Sequence, residues 1–260
     1  MTLSTILLVK GLIAALIVGF VTASIKSWID RVFLVIMLVG ILGLPIRQAI
    51  IVNLGVVALA SLVMIFRERK LLHPSGPIGK YEWVLIAIPA ILGGLAGRLA
   101  ASVLSPKVLL AILGLYAVGV GLRILFIKPL GERETKGHPA WLMPIALGSG
   151  LFEGLISAGA KPFTVPAYNN AMGHHPKQAY AFATLGVVSA TWTALITQFA
   201  LVSVPTGSEL ILSLYEFLII TAVAFLVDRF WTQKLQKVVN YTIAPILIIV
   251  GIRFFVTALR

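Results

Sequence analysis

Long apolar runs broken by short polar stretches organise this chain from end to end. Measured against the ~20 residues a helix needs to cross a hydrocarbon core, they predict ten helical segments. In the first half these are 3–25, 31–44, 47–66, 82–103 and 107–127, and in the second 140–158, 162–173, 177–203, 209–228 and 236–258. Two of them, Arg31 to Leu44 and Pro162 to Gly173, are too short to span comfortably. Each follows a segment that ends in small or polar residues, Thr22-Ala23-Ser24 in one case and Ser157-Ala158-Gly159-Ala160 in the other. Short, interrupted segments at matching places point to broken or re-entrant helices around a binding site.

The halves also repeat each other. Pro45 followed by Asn53-Leu54-Gly55-Val56-Val57 recurs 131 positions on as Pro176 followed by Thr184-Leu185-Gly186-Val187-Val188, and Arg98 maps to Arg229 at the same offset. Val120-Gly121-Leu122-Arg123 maps to Val250-Gly251-Ile252-Arg253 at an offset of 130. The expected fold is an all-α polytopic membrane protein made of two repeats of about five helical segments each, with the broken helices at the repeat interface. Residues 1–128 form the first repeat, 129–139 a cytoplasmic linker and 140–260 the second.

Charge fixes the orientation. The loop 67–80 holds Arg67, Arg69, Lys70 and Lys80 against Glu68 alone, whereas its partner around 203–209 holds no Lys or Arg. The linker carries Lys128, Arg133 and Lys136 beside Glu132 and Glu134, and the turn 228–237 carries Arg229, Lys234 and Lys237. Cytoplasmic loops collect Lys and Arg, so these three connections are expected inside and both termini outside a cell (inner) membrane. Equivalent loops then fall on opposite faces, which makes the repeats inverted.

Composition agrees with a bilayer setting. The chain is 59% hydrophobic and 12% charged, with a mean hydropathy of +1.03, too apolar for a soluble domain. Its net charge of +12 punctuates apolar segments instead of lining one solvated face. That pattern suits orientation in an anionic bilayer and argues against a nucleic-acid partner. There is no cysteine, which removes disulfides, thiol nucleophiles and thiolate metal sites. No Walker sequence occurs, and no cofactor is implied. The segment Thr2–Ile25 holds Lys10 as its single charge and reads as a first membrane helix, not a removable signal peptide.

Several stretches resemble the sulfite exporter TauE/SafE family of membrane permeases. Its halves typically carry a stretch of the form G-L-L-G-I-G-G-G-x-L-L-V-P, then G-L-P, an A-T-S-L helix and a G-A-R-L end. Here Gly154-Leu155-Ile156-Ser157-Ala158-Gly159-Ala160-Lys161-Pro162-Phe163-Thr164-Val165-Pro166 matches the first, Gly43-Leu44-Pro45 the second, Ala183-Thr184-Leu185 the third and Leu95-Ala96-Gly97-Arg98-Leu99 the last. Lys161 stands where the family's third glycine would be, and the first copy holds almost no glycines there. The resemblance implies a permease for sulfite, sulfonates or related organic anions.

Among the residues that could carry chemistry, Lys161 and Arg31 are the sharpest, and they lie opposite each other at an offset of 130. A cation inside a membrane segment costs roughly 2.5–3.5 kcal/mol on insertion scales and is functional by default. Beside half-helix N-termini, such cations would attract a small anionic substrate. Arg31 could instead pair locally with Asp30. Lys26 stands an i,i+4 step from Asp30, either as an ion pair or within a membrane-surface turn with Trp28. Glu153 is a candidate for proton coupling, with Asp30 a second acid in the same role. Asn53 and Thr184 occupy matching places and could bond substrate oxygens or simply join helices. Ser157, Tyr168, Asn169 and Asn170 lie near the second break as further candidates. Gly93, Gly94, Gly97, Gly114, Gly119 and Gly121 read as close helix packing. Arg98 and Arg229 are expected to fix helix ends at the interface. His174-His175 beside Pro176 reads as an interfacial turn and not a metal site.

The leading function is a secondary transporter, an exporter on the resemblance, that alternates access to a central cationic pocket. An anion channel using the same cations is the alternative. An intramembrane enzyme would need paired acids, a Ser/His couple or metal ligands at depth, and the chain assembles no such set. Proton or sodium coupling and assembly into a homo-oligomer are both compatible with the pattern.

Overall fold

The computed structural model describes residues 4–25, 32–67, 80–126, 138–158, 160–172, 176–230 and 232–260. Among these residues are ten α-helices. The first half contributes α1 (Thr5–Ile25), α2 (Val32–Gly40), α3 (Ile46–Arg67), α4 (Lys80–Val103) and α5 (Pro106–Phe126). The second contributes α6 (Leu142–Ile156), α7 (Lys161–Met172), α8 (Pro176–Thr197), α9 (Gly207–Asp228) and α10 (Gln233–Leu259). All ten coincide with the segments expected from hydropathy, and α2 and α7 are the short ones.

Seven of the described helices are long and apolar enough to cross a membrane: α1, α3, α4, α5, α8, α9 and α10. The helix α6 has 15 residues, about 22 Å at 1.5 Å per residue, which falls short of the ~30 Å hydrocarbon core.

Local chemistry sets the ends. The Gly-Leu-Pro stretch is the turn between α2 and α3. Gly43 takes φ +72°, which only glycine adopts without strain, while Leu44 N–H reaches back to Leu38 O at 3.1 Å. Pro45 then opens α3, its carbonyl accepting the Ala49 N–H at 3.0 Å. At the far end of α8 the ladder widens into a π turn, Gln198–Val202, closed by Ser203 N–H on Gln198 O at 2.9 Å. Next, Thr206 and Glu209 form a capping box that starts α9.

Lipid tails are as apolar as leucine, so helices in a bilayer associate through close packing and polar pairs, not through the hydrophobic effect. This bundle shows both. On α4, Gly93 and Gly97 lie against the α6 backbone at Leu147 and Leu151, and Gly150 and Gly154 lie against Ala90 and Gly94 in return. A methyl group on Gly94 would come 2.6 Å from the Ala190 carbonyl oxygen of α8, and one on Gly114 equally close to Gly251 of α10. The expectation of glycine-mediated packing therefore holds at these crossings. Among the polar pairs that join the halves, Trp192 Nε1 donates to Ser61 Oγ at 2.9 Å, and these two positions are themselves 131 apart.

The packing pairs come as counterparts. The helix α4 lies on α6 and α8, while α9 lies on α1 and α3; α5 packs on α10, and α3 on α8. Each half's fourth helix thus clasps the other half's opening helix. Buried residues such as Leu34, Leu38, Ile50 and Leu54 fill the interior, and Ile6, Phe66, Val103, Phe126 and Leu201 point outward.

Candidate functional site

The site is built where α6 stops and α7 begins. Ser157 ends α6 in the left-handed region at φ 50°, its N–H bonded to Glu153 O at 2.8 Å. A non-glycine residue pays about 1–2 kcal/mol for that conformation. The carbonyl of Ala160 then accepts the N–H groups of Phe163 at 3.0 Å and Thr164 at 2.9 Å, opening α7. Pro162, with no N–H to satisfy, suits this first turn.

Lys161 enters the bundle from that turn and is only 3% exposed. Its Nζ donates to Thr184 Oγ1 at 2.6 Å and lies 3.8 Å from the centre of the Tyr180 ring. The Thr184 hydroxyl gives its own proton to Tyr180 O at 2.9 Å, so a lone pair is left facing the lysine. From the other half, Asn53 on α3 donates through Nδ2 to the Ser157 carbonyl, with Ser157 Oγ at 3.4 Å. Asn53 and Thr184, matched by sequence offset, therefore converge on one break. Four of the expected residues (Lys161, Ser157, Asn53 and Thr184) are brought together.

Glu153 lies one turn before the break, fully buried, and accepts a hydrogen bond from Thr191 Oγ1 at 2.9 Å. The remaining candidates separate. Tyr168 is buried in the apolar cluster with Phe182, ring centres 5.7 Å apart. Asn169 is buried on the same short helix, and Asn170 faces outward. Lys26, Asp30 and Arg31 lie outside the described residues, as do His174 and His175.

Arg229 is exposed at the end of α9, as expected. Arg98 differs from expectation. It is 3% exposed, and its Nε donates to Gln198 Oε1 at 2.7 Å. The interface was the natural place for an arginine near a helix end, but an amide from α8 draws it inward. Sequence reasoning also passed over Tyr180, Thr191, Gln198 and the fully buried Glu216 of α9, which meets α1 beside Gly11. A signal for two of them was present, because Thr184, Thr191 and Gln198 recur every seven residues along α8 and into the π turn, with Ser189, Thr193 and Thr197 between them.

A cavity of about 620 Å³ adjoins the break, lined by Ile112, Leu115, Tyr116, Phe152, Phe163 and Thr164 among others. Its walls are mostly apolar, with Tyr116, Ser149 and Thr164 as the polar side chains among them.

Ten α-helices among the described residues, seven of them of spanning length, and a polar centre at a helix break define an all-α, multi-pass membrane protein. The model of the sulfite exporter TauE/SafE family matches residues 11–254, and the chain belongs to that family. It is accordingly a membrane permease of a family that moves sulfite or related anions, whose members are transporters and not enzymes. No curated protein and no solved structure matches the chain significantly.

Proposed function

We propose that this protein is a secondary transporter that carries sulfite or a small organosulfonate across the inner membrane by alternating access around Lys161. The observation that carries the reading is a buried ammonium at the N-terminal turn of α7, met by Thr184 from one half and, across the break, by Asn53 from the other. A lysine at that position adds its charge to the partial positive charge of the helix end, so a bound oxyanion offsets both at once. An ammonium on a flexible stem also suits a site that must release its ligand on either face.

The two halves act as inverted repeats. The counterpart packing of α4 on α6 and of α9 on α1 supports this, because rocking one pair against the other would open the break to each side in turn. Both termini face outward, on the loop charges. The chain contains no cysteine, so single cysteines introduced at Ser75 and Val204 can be labelled cleanly. Only the first should react from the cytoplasmic side. Glu153, buried beside the break, takes up and releases the coupled proton.

Flux measurements in proteoliposomes test the whole proposal. Sulfite efflux should saturate, support counterflow and fall at least tenfold in Lys161→Ala. Flux that rises linearly with concentration and ignores an opposing gradient would indicate a channel. Unchanged saturable flux in the variant would remove Lys161 from the site.

A further inference from the structure

Three buried polar side chains stand in line on α8. Thr184, Thr191 and Gln198 are seven residues apart, which is two turns, so they share a face over roughly 21 Å of helix at 1.5 Å per residue. Each holds a charged group from another helix: Thr184 the ammonium of Lys161, Thr191 the carboxylate of Glu153, and Gln198 the guanidinium of Arg98. The first two belong to the break. Arg98 is too far along the helix to share a ligand with Lys161.

The setting of Arg98 is built with care on one edge and left open on the other. Gln198 Nε2 donates to Ser203 O at 2.7 Å and to Ser203 Oγ at 2.8 Å. This locks the amide with its oxygen toward Arg98 Nε. The lock depends on the π turn, which carries Ser203 back under Gln198, and single π turns recur at functional sites. Yet Arg98 Nη1 is buried with no hydrogen-bond acceptor, and no hydrogen bond among the described residues reaches the Nη1–Nη2 edge.

A second cation stands close by. Arg47, in the first turn of α3, donates through Nη2 to Leu104 O at 2.8 Å and to Ser102 O at 3.2 Å, which places it at the end of the helix that carries Arg98. No carboxylate among the described residues bonds to either guanidinium. Both arginines lie on helices of spanning length, where a charged side chain is functional by default. The planar fork of an arginine edge fits the paired oxygens of an oxyanion.

We infer that the Nη1–Nη2 edge of Arg98, backed by Arg47 and oriented by Gln198, is a second oxyanion site, separate from the break, that takes a sulfite or sulfonate head group. Gln198 is a positioning residue, since it acts through Arg98. The site is closed around Nη1 in this conformation. It stands on Arg98 and its neighbours, takes its ligand class from the proposed transport of sulfite, and does not need Lys161 to bind anything.

Isothermal titration of the full-length protein in detergent with sodium sulfite, against sodium chloride at matched ionic strength, tests this. Two sulfite ions per chain are expected. Lys161→Ala should leave one, Gln198→Glu should leave one, and the double variant none. The glutamate loses the Nε2 donor that ties residue 198 to Ser203 and offsets the Arg98 charge from the Nε edge, so that variant should lose the site. Arg98→Lys, which keeps the charge and loses the fork, should weaken the same event at least tenfold, and Arg47→Gln should weaken it several-fold. The inference is overturned if Gln198→Glu and Arg98→Lys both retain two ions at unchanged affinity. It is equally overturned if the wild type binds one ion and Lys161→Ala abolishes it.

Discussion

Replacing Lys161 by methionine should move binding and stability in opposite directions. Methionine keeps the length and volume of the lysine stem while removing the charge. Nζ is within hydrogen-bond distance of Thr184 Oγ1 and against the Tyr180 ring, in a site that is 3% exposed. A hydrogen bond from a charged group to a ligand contributes about 1.5–3 kcal/mol, which at ~1.4 kcal/mol per decade is roughly a 10- to 150-fold loss of sulfite affinity. Stability follows a different term. An ammonium buried at the positive end of α7 must be desolvated, and its partners, Thr184 and Tyr180 among them, return part of that cost. Removing it relieves the insertion penalty of a membrane lysine, about 2.5–3.5 kcal/mol, less what those partners return. The thermal midpoint in detergent should hold or rise while sulfite titration weakens. Both are read on one preparation, by calorimetry and by thermal unfolding. A methionine variant that unfolds at lower temperature yet binds sulfite like the wild type would show that Lys161 is a structural strut, and the reasoning would fail.

Three further outcomes follow from the same structure. Gly150→Val drives a branched side chain into the α4 backbone at Ala90 and Gly94; overpacking of about 1–3 kcal/mol should lower the unfolding midpoint sharply. Gly148→Ala, two residues earlier with nothing within 4 Å of the added carbon, should change nothing. Ser157 sits at φ 50°, so Ser157→Gly should keep or raise the midpoint, whereas Ser157→Val, β-branched in the left-handed region, should lose about 1–2 kcal/mol or more. Glu153→Gln should abolish sulfite uptake driven by a pH gradient while counterflow exchange persists. If pH-driven transport survives that change, the carboxylate carries no proton.

Much of the fold could be read in advance because a bilayer leaves the chain few choices. Every backbone group must be satisfied within its own helix, so apolar runs map directly onto helices, and the breaks show where small and polar residues interrupt them. That is why the 142–156 and 161–172 pair was visible from Ser157 to Pro162. The convergence of Asn53 and Thr184 was visible too, because an offset of 131 marks matched places even when no contact can be seen. Tyr168 and Asn170 lie away from the break for a simple reason. Nearness in sequence to Lys161 does not survive the helical period, and a turn or two into α7 the side chains point into the Phe182 cluster or outward.

Arg98 was harder, and the difficulty is physical. An arginine five residues before the end of α4 has a stem long enough to snorkel to the interface, so its own sequence neighbourhood argues for the surface. What reverses that expectation comes from a residue 100 positions away: Gln198, whose amide is oriented by a π turn that hydropathy cannot register. Yet the other half of the pair was legible. A polar side chain buried at depth in a membrane helix is too costly to leave unpartnered unless, like Thr193 and Thr197, it bonds its own backbone. Thr184, Thr191 and Gln198 therefore require partners of complementary chemistry on the facing helices. The chain offers few charged residues at that depth, and Lys161, Glu153 and Arg98 are the ones that arrive. Polar periodicity inside an apolar helix thus predicts contacts in the way apolar periodicity predicts a core, and here it leads from the break to the second cation.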